Sequence, residues 1–414
     1  MDSLSIRDTF VKTFGVQPTA LYAAPGRINL IGEHTDYNGG FVFPGAIEQC
    51  IVCAIQPNNT HTINAYSIDL DDHESFSIDD PQGPQRTHFR YIFGVVREMM
   101  KLSYTVGGFD TVFAGNVPLG AGMSSSAALE SCFAFAINDL FCNSQASLMD
   151  LARVGQATEH NYVGVKCGIM DQFASLHGRA GQLMRLDCRS GEFAYFPWNP
   201  KGYKLVLINS CVRHELIGSP YNDRRRSCEH VVEVVNQQQS NLHAETLRDI
   251  SWEQLEAAKP RLTEEDYRRA YFVLGEKDRV LAVCEALQKN DYEKVGAQMY
   301  ATHKGLSQDY EVSCEELDFL NDLARECGVT GSRIMGGGFG GCTINLVKEN
   351  LYDTFTHSSL SSSTESSSSI GTRPRTDDSP SASLLTLSVV VVTVASLCPT
   401  SAAISTAALP VLTY

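Results

Sequence analysis

The sequence has little positive charge for its length. Its 414 residues include 33 lysines and arginines against 48 aspartates and glutamates, so the formal net charge is −15. An acidic chain repels phosphate over most of its surface, and we therefore expect no general binding to nucleic acid or to anionic membranes. Any phosphate that this protein binds must be held locally, by backbone N–H groups and a few cations.

A cysteine framework and a secretory leader are also missing. The 13 cysteines are odd in number and scattered, and the first residues contain no apolar segment of the signal-peptide kind. Reduced thiols and a cytoplasmic location are the expectation. Cys50 and Cys53 form a C-x-x-C, but no second pair or histidine cluster follows at zinc-ligand spacing. The surrounding "CIVCAIQ" predicts a buried strand instead of a metal site.

The remaining pattern mixes helices and strands without a regular βαβ period. The stretch "HFRYIFGVVREMM" has apolar residues at helical spacing, whereas "YKLVLINS" and "GQLMRLDC" are typical of strands. Residues 223–327 are mostly helical in pattern, with breaks at 240–251 and at Pro260. We find no internal repeat, and the order of elements predicts an α+β fold with two lobes.

The composition changes abruptly near residue 356. A serine-rich segment is followed by "LLTLSVVVVTVASLC", and no charge occurs from Ser379 to Tyr414. The apolar run is shorter than the roughly 20 residues that span a bilayer. Three interpretations are open: a C-terminal membrane anchor, a divergent native extension, or a segment foreign to the fold, such as the product of a reading-frame change. We favour the last, because this composition matches nothing upstream.

One stretch, "GNVPLGAGMSSSAALE", combines glycines with consecutive serines ahead of a predicted helix. Gly120 and Gly122 allow the backbone to approach a ligand closely, and Ser124, Ser125 and Ser126 place hydroxyls beside the free N–H groups of the helix start. This pattern predicts an anion site. It differs from a Walker A loop, because no Gly-Lys-Ser/Thr follows. An N-capped core helix is the alternative interpretation.

A second stretch, "PGRINLIGEHTDYNGG", crowds ionisable groups into an otherwise apolar segment. Arg27, Glu33, His34 and Asp36 are costly there unless they are paired or face a cleft. Carboxylates with a histidine suit the recognition of several hydroxyl groups. A purely structural cluster of salt bridges is the alternative.

A third stretch, "EHNYVGVKCGIMDQFASLHG", places Asp171 just after the turn-like Lys166–Gly168, at a predicted helix start. A carboxylate in that position is stabilised as the anion. It could accept a hydroxyl proton or orient a nucleophile, as phosphoryl transfer requires. A helix-capping aspartate is the alternative.

A fourth stretch, "GSRIMGGGFGGCT", has five glycines among the six residues Gly336–Gly341. Packing alone does not call for so many glycines. They predict a loop with unusual backbone angles that lies close to a ligand or to another loop.

Together these stretches resemble the galactokinase family, within the GHMP group of small-molecule kinases. The resemblance covers residues 1 to about 355. In it "GRINLIGEHTDYNGG" is similar to the galactokinase signature, "PLGAGMSSSAALE" to the GHMP phosphate loop and "GGGFGGCT" to the third GHMP motif. It implies ATP-dependent phosphorylation of the anomeric hydroxyl of α-D-galactose, by a two-lobed GHMP kinase fold with its active site in the inter-lobe cleft.

The resemblance also implies roles for individual residues. It makes Asp171 the catalytic carboxylate and Arg27 its cationic partner. The implied sugar contacts are Arg27, Glu33, His34, Asp36, Gly168, Asp171 and Tyr221. The implied ATP contacts are Gly120, Ala121, Gly122, Met123, Ser124, Ser125 and Ser126. Ser126 and Glu159 are the implied ligands of Mg²⁺, a hard cation that prefers oxygen.

The implied organisation is an N-terminal lobe at 1–180, a C-terminal lobe at 181–355 and a poorly packed or disordered tail at 356–414. Family members continue past "CTINLV" with a helix and a closing strand, which the tail does not match. We therefore expect a missing closing strand, an unpaired sheet edge and a destabilised scaffold.

The expected partners are galactose and ATP, with no nucleic acid and no membrane, in a monomeric protein. Two other functions are open: a kinase for N-acetylgalactosamine, or a non-catalytic galactose sensor of the same fold. The intact "SSSAA" counts against the sensor, and "HTDYNGG" favours galactose over its N-acetylated relative.

Overall fold

The computed structural model describes residues 3–198, 200–212, 220–239, 241–365, 388–391 and 402–404. Within these ranges the eleven α-helices are α1 (Ser3–Phe14), α2 (Thr87–Lys101), α3 (Ser125–Cys142), α4 (Leu148–Thr158), α5 (Met170–His177), α6 (Tyr221–Gln238), α7 (Trp252–Ala258), α8 (Glu264–Gln288), α9 (Tyr292–Gln308), α10 (Glu315–Glu326) and α11 (Tyr352–Glu365).

The strands fall into three sheets. In the described ranges they are β1 (Ala20–Asn29), β2 (Phe41–Val42), β3 (Pro44–Pro57), β4 (Thr62–Ser67), β5 (Asp72–Ser77), β6 (Phe109–Gly115), β7 (Gln182–Asp187), β8 (Phe193–Pro197), β9 (Tyr203–Asn209), β10 (Gly331–Ile334), β11 (Cys342–Lys348), β12 (Ser388–Val391) and β13 (Ala402–Ile404).

The largest sheet has the strand order β13-β1-β3-β6-β4-β5, antiparallel except for the parallel pair β4 and β6. Strand β1 is buried along nearly its whole length. One face of the sheet is covered by α1, through Ile6 and Phe10, and the other by α3 and α5. Because both faces are covered, the sequence of β1 is apolar at consecutive positions instead of alternating.

The other two sheets have the orders β10-β11-β9-β12 and β2-β7-β8. Helices α6, α7 and α8 form a second apolar core with the end of α9. The main core runs from Tyr22 to Leu346 and therefore contains side chains from both sides of the predicted boundary at residue 180. This shared core fixes the cleft in which the polar stretches meet.

Local patterns predicted several elements well. The helix expected from "HFRYIFGVVREMM" is α2, which buries Phe89, Ile92, Phe93 and Met99 at the predicted spacing. The C-x-x-C stretch lies in β3, as expected. There Cys53 is buried, and its Sγ lies 3.6 Å from that of Cys132.

The expected unpaired edge next to β9 is not what the structure has. Helix α11 continues to Glu365, and Ser388–Val391 pairs antiparallel with β9, with Val390 opposite Leu207. In the described residues this edge of β9 is therefore paired, whereas the absence of the family's own closing strand stays a prediction. A run of valines has high strand propensity, and the edge of β9 offers it unpaired backbone groups.

The rest of the predicted tail lies outside the described residues. Among the helices that the structure describes, none has the length and apolar character needed to cross a membrane.

Candidate active site

Arg27 and Asp171 form a bidentate ion pair although 144 residues separate them along the chain. Arg27 Nε donates to Asp171 Oδ1 at 2.8 Å, and Nη2 donates to Oδ2 at 2.9 Å. Arg27 lies near the end of β1 and Asp171 in the first turn of α5, as predicted. Burial alone would lower the pKa of Arg27, but the nearby carboxylates of Asp171 and Glu33 outweigh it and raise that pKa. A fixed cation and a fixed carboxylate therefore lie side by side.

The predicted phosphate loop leads into α3. Gly120 and Gly122 have φ of 71° and 72°, angles that favour glycine, and Ser124 also has a positive φ of 58°. Helix α3 begins at Ser125, so its first N–H groups face the loop. The carbonyl of Gly122 accepts a hydrogen bond from Arg27, which ties this loop to the ion pair.

The side chains of this loop lie in different surroundings. The Ser124 hydroxyl donates to Asp171 Oδ2, although Ser124 also lines the cavity, so its role in ATP binding stays a prediction. The side chains of Ala121 and Met123 are buried in the main core, which leaves only their backbone for a ligand. Ser125 and Ser126 also line the cavity, and the Ser126 side chain is hydrogen-bonded to Glu159.

The glycine-rich loop Gly336–Gly341 lies directly against the phosphate loop. A Cβ added to Gly122 would lie 2.8 Å from the carbonyl oxygen of Met335, and one added to Gly341 would lie 3.3 Å from Ala121. Gly336 and Gly341 have φ of 83° and 81°. The expectation of unusual angles and a close approach to another loop is confirmed, and the approach requires glycine on both sides.

The carboxylate of Glu33 is held by a buried arginine. Arg333, with no exposed surface, donates to Glu33 Oε1 at 2.9 Å, and the backbone N–H of Gly336 donates to the same oxygen at 2.9 Å. Arg333 was not predicted from the sequence. Its position inside "GSRIMGGG" gave no periodic or compositional signal, although an arginine in an apolar segment is unusual.

Asp36 lies against a glycine on the other side of the cleft. A Cβ on Gly168 would be 2.0 Å from Asp36 Cγ, so residue 168 must be glycine for this carboxylate to keep its position. Burial, together with the charge of Asp171, raises the pKa of Asp36 to about 6. Tyr221, at the first position of α6, is buried with its ring centroid 5.4 Å from that of His34.

These groups line one cavity of about 510 Å³. It is bounded by nearly all the predicted site residues, namely Arg27, Glu33, His34, Asp36, Gly120, Gly122, Met123, Ser124, Ser125, Ser126, Glu159, Gly168, Asp171 and Tyr221, and by the glycine-rich loop. Of the predicted set, Ala121 is not among the lining residues. The serine turn, the Arg27–Asp36 stretch and Asp171 thus converge on a single cleft.

The cavity extends past the phosphate loop into an apolar part that sequence reasoning missed. Leu70, Tyr91, Phe113, Leu119 and Leu129 line it. Leu119 is 60% exposed and Leu70 46% exposed. In the sequence, a leucine between a proline and a glycine of the phosphate loop was the one signal that could have pointed to an apolar ligand surface.

Ser126 and Glu159 offer oxygen atoms beside the loop. Glu159 begins a π-helical turn, Glu159–Val163, directly after α4, and π-helical turns are frequent at functional sites. Burial raises the pKa of Glu159 to about 7, and a hydrogen bond from Ser126 acts in the opposite direction. Nowhere in the described ranges do three His, Cys, Asp or Glu side chains gather as a metal cage. Two protein oxygens suit a cation that takes its other ligands from phosphate and water.

Comparison with known proteins agrees with this geometry. The galactokinase galactose-binding signature matches residues 8–57, the GHMP kinase N-terminal domain matches 90–179 and the GHMP kinase C-terminal domain matches 284–352. A galactokinase from Roseiflexus sp. (strain RS-1) is 38% identical over 360 residues, which are 86% of this chain and 90% of that protein. This chain belongs to the galactokinase family.

Two further galactokinases extend the comparison. The galactokinase of Homo sapiens is 39% identical over 357 residues, with 83% of this chain and 87% of that protein covered. The crystal structure of Lactococcus lactis galactokinase complexed with galactose superposes with a TM-score of 0.82 at 28% identity, covering 93% of this chain and 96% of that one. The GHMP kinase fold and membership of a kinase family are therefore established.

Proposed function

We propose that this galactokinase-family member transfers the γ-phosphoryl group of ATP to the anomeric hydroxyl of α-D-galactose at the Arg27–Asp171 pair. The observation that supports this most is the position of that pair. It lies between the phosphate loop, which Arg27 contacts at Gly122, and the polar groups Glu33 and Asp36. A hydroxyl bound among the polar groups would face a phosphoryl group bound on the loop.

The polar side of the cavity holds the sugar in this proposal. Glu33 and Asp36 accept hydrogen bonds from hydroxyl groups, His34 and Tyr221 border the ring, and Gly168 leaves the space that Asp36 needs. The carboxylate of Asp171 accepts the hydrogen bond of the anomeric hydroxyl, which is more acidic than an ordinary alcohol.

The other side of the cavity holds the nucleotide. The triphosphate lies on the backbone of Gly120–Ser126 and at the start of α3, where free N–H groups favour an anion. The apolar part lined by Leu119, Tyr91 and Phe113 receives the adenine. Ser126 and Glu159 would hold Mg²⁺, which would neutralise phosphate charge.

The chemical step needs little covalent work from the protein. The sugar oxygen forms a bond to the γ-phosphorus, the bond from that phosphorus to the bridging oxygen breaks, and ADP leaves. The hydroxyl proton departs toward Asp171, and Arg27 faces the charge that develops on the transferred group. A cytoplasmic location and a monomeric state stay predictions.

An ADP-release assay with a panel of hexoses, including N-acetylgalactosamine, tests the substrate. We expect galactose to be preferred. Asp171→Ala should lower kcat by about a thousandfold or more while galactose binding, followed by calorimetry, stays measurable. The matched control is Asp322→Ala, an exposed aspartate of α10. Near-normal turnover by the Asp171 variant would contradict the assigned role.

A further inference from the structure

A chain of hydrogen bonds leads from the sugar side of the cavity into the interior. The Nδ1 atom of His34 lies 2.7 Å from the hydroxyl of Tyr37, which lies 2.8 Å from the hydroxyl of Tyr310. That hydroxyl lies 3.3 Å from Cys228 Sγ, and the side-chain amide of Asn38 donates to the same sulfur at 3.6 Å. The chain therefore ends on an amide donor that cannot reverse its role.

The opposite nitrogen of His34 faces the cavity. Its Nε2 atom is buried and has no hydrogen bond of good geometry within the described residues, although the backbone of Gly337 is close enough to the ring to oppose the effect of burial on its pKa; His34 lines the cavity. The ring lies 4.8 Å, centroid to centroid, from that of Tyr310, which has no exposed surface. Burial lowers the pKa of His34 to about 3. A neutral imidazole has one donor nitrogen and one acceptor nitrogen, so whatever Nδ1 does decides what Nε2 can do.

Counting protons selects one direction for this chain. If Cys228 donates to Tyr310, Tyr310 to Tyr37 and Tyr37 to Nδ1 of His34, every proton between the sulfur and Nδ1 has an acceptor, the sulfur receives the Asn38 amide, and the imidazole proton on Nε2 is left for a ligand in the cavity. In the reverse direction the sulfur would take two donors, and its own proton would have no acceptor among these groups. The first arrangement leaves Nδ1 as the acceptor and places the proton on Nε2.

We propose that Tyr37 and Tyr310 are positioning residues that hold His34 in the Nε2–H form, so that this histidine donates a hydrogen bond to one hydroxyl oxygen of the sugar. The proposal rests on the proposed function, since it assigns a task to the same cavity. Neither tyrosine touches the reacting atoms, and both act through His34.

This chain of hydrogen bonds also joins the two halves of the molecule. His34 and Tyr37 belong to the galactokinase signature, whereas Tyr310 follows α9 and Cys228 lies in α6. Arg224 Nε donates to the backbone carbonyl of Tyr310 at 2.9 Å and fixes that residue. Residues of the C-terminal half thus determine which ring nitrogen of His34 carries the proton.

Kinetics of Tyr37→Phe and Tyr310→Phe test the proposal, because each removes one oxygen and keeps the ring. We expect KM for galactose to rise roughly three- to tenfold in Tyr37→Phe and less in Tyr310→Phe, with KM for ATP and kcat nearly unchanged. The double variant should be no worse than Tyr37→Phe alone, because Tyr310 acts only through Tyr37. The control is Tyr300→Phe, whose hydroxyl donates to Val329 outside the cavity.

Monodeoxy analogues of galactose identify the hydroxyl concerned. The analogue that lacks the hydroxyl bound by His34 should have the same low affinity for Tyr37→Phe and for the unaltered enzyme. Galactose itself should bind less tightly to Tyr37→Phe than to the unaltered enzyme. Additive effects of the two substitutions, or a change in kcat with KM unaltered, would overturn the proposal. So would a response no larger than that of Tyr300→Phe.

Nuclear magnetic resonance shows which ring nitrogen of His34 carries the proton, without any assay of turnover. In protein labelled with ¹⁵N-histidine, long-range ¹H–¹⁵N correlations distinguish the two neutral forms of each ring. Assigned by comparison with His34→Gln, His34 should carry its proton on Nε2. A proton on Nδ1 would overturn the proposal even if galactose phosphorylation is confirmed, and the result stands even if a tyrosine variant does not fold.

Discussion

The carboxyl of Asp36 lies in an environment that disfavours its ionised form. It lies half-buried near the carboxylates of Asp171 and Glu33, and its pKa is raised to about 6. In an unfolded chain an aspartate titrates near 3.9. Folding therefore costs free energy whenever this group is ionised, which is the condition at neutral pH. In the proposed sugar site, a carboxylate that binds hydroxyl groups would be kept in spite of this loss of stability.

Asp36→Asn should remove that cost. The amide oxygen can still accept the hydrogen bond that the Tyr37 N–H donates at 2.9 Å. We expect the free energy of unfolding of the ligand-free protein to rise by about 1–3 kcal/mol near pH 7.5, and galactose binding to weaken. The folded pKa is the higher one, so the gain is largest above about pH 6 and shrinks as the pH falls toward 4. Urea unfolding at several pH values measures this.

The exposed Asp322→Asn is the matched control for that series. It should give a small difference that does not follow the same pH course. Destabilisation by Asp36→Asn at neutral pH would show that the carboxylate stabilises the fold instead.

At the scale of elements, the edge strand β12 is the part of the tail that the structure ties to the fold. Ser388–Val391 pairs with β9, and β9 lies next to β11 in the core of its sheet. Successive N–H groups of a strand point in opposite directions, so only alternate residues of β12 donate to β9. Proline at those positions removes a hydrogen bond, whereas proline facing outward from an edge strand is tolerated.

We therefore expect Val389→Pro and Val390→Pro to differ. One of them should lower the free energy of unfolding by about 1–3 kcal/mol and the other by much less. Thermal unfolding of the two variants beside the unaltered chain measures this, and each serves as the control for the other. Equal melting temperatures for all three would mean that β12 does not contribute to the stability of this sheet.

The sequence pattern predicted local helices and strands better than it predicted the tertiary contacts between them. Helices such as α2 and strands such as β9 follow from the spacing of apolar residues, because burial of one face imposes that spacing. No periodicity encodes the contact of Arg27 with Asp171 across 144 residues. That pairing came only from resemblance to a family.

Other parts of the site had no signal before folding. Tyr310 looks like an ordinary aromatic residue until its hydroxyl is placed against Tyr37 and Cys228. The hydrogen bond from Ser124 to Asp171 depends on the left-handed backbone angle of Ser124, φ 58°, which composition does not reveal. Such contacts are tertiary, so they are fixed by the packing of distant elements.

At the scale of the whole molecule, one arginine joins the C-terminal half of the chain to its first strand. The guanidinium of Arg333 is completely buried and donates to the carbonyls of Asn29, Leu30 and Ile334 as well as to the carboxylate of Glu33. The main core likewise combines side chains from both halves. Three family models match separate parts of the chain, but Glu33 in the N-terminal half takes buried donors from Arg333 and Gly336 in the C-terminal half.

Arg333→Met should therefore destabilise the whole molecule and not only β10. Removing the cation leaves Glu33 with only the Gly336 N–H as a donor and takes the guanidinium donors from the carbonyls of Asn29 and Leu30, and losses of this kind amount to about 3–5 kcal/mol. We expect one calorimetric transition at a lower temperature, with hydrogen exchange of β1 and β11 accelerated together. The exposed Arg261→Met should melt like the unaltered protein. Two separate transitions, or faster exchange confined to β10, would show that the halves fold independently and that Arg333 serves only its own strand.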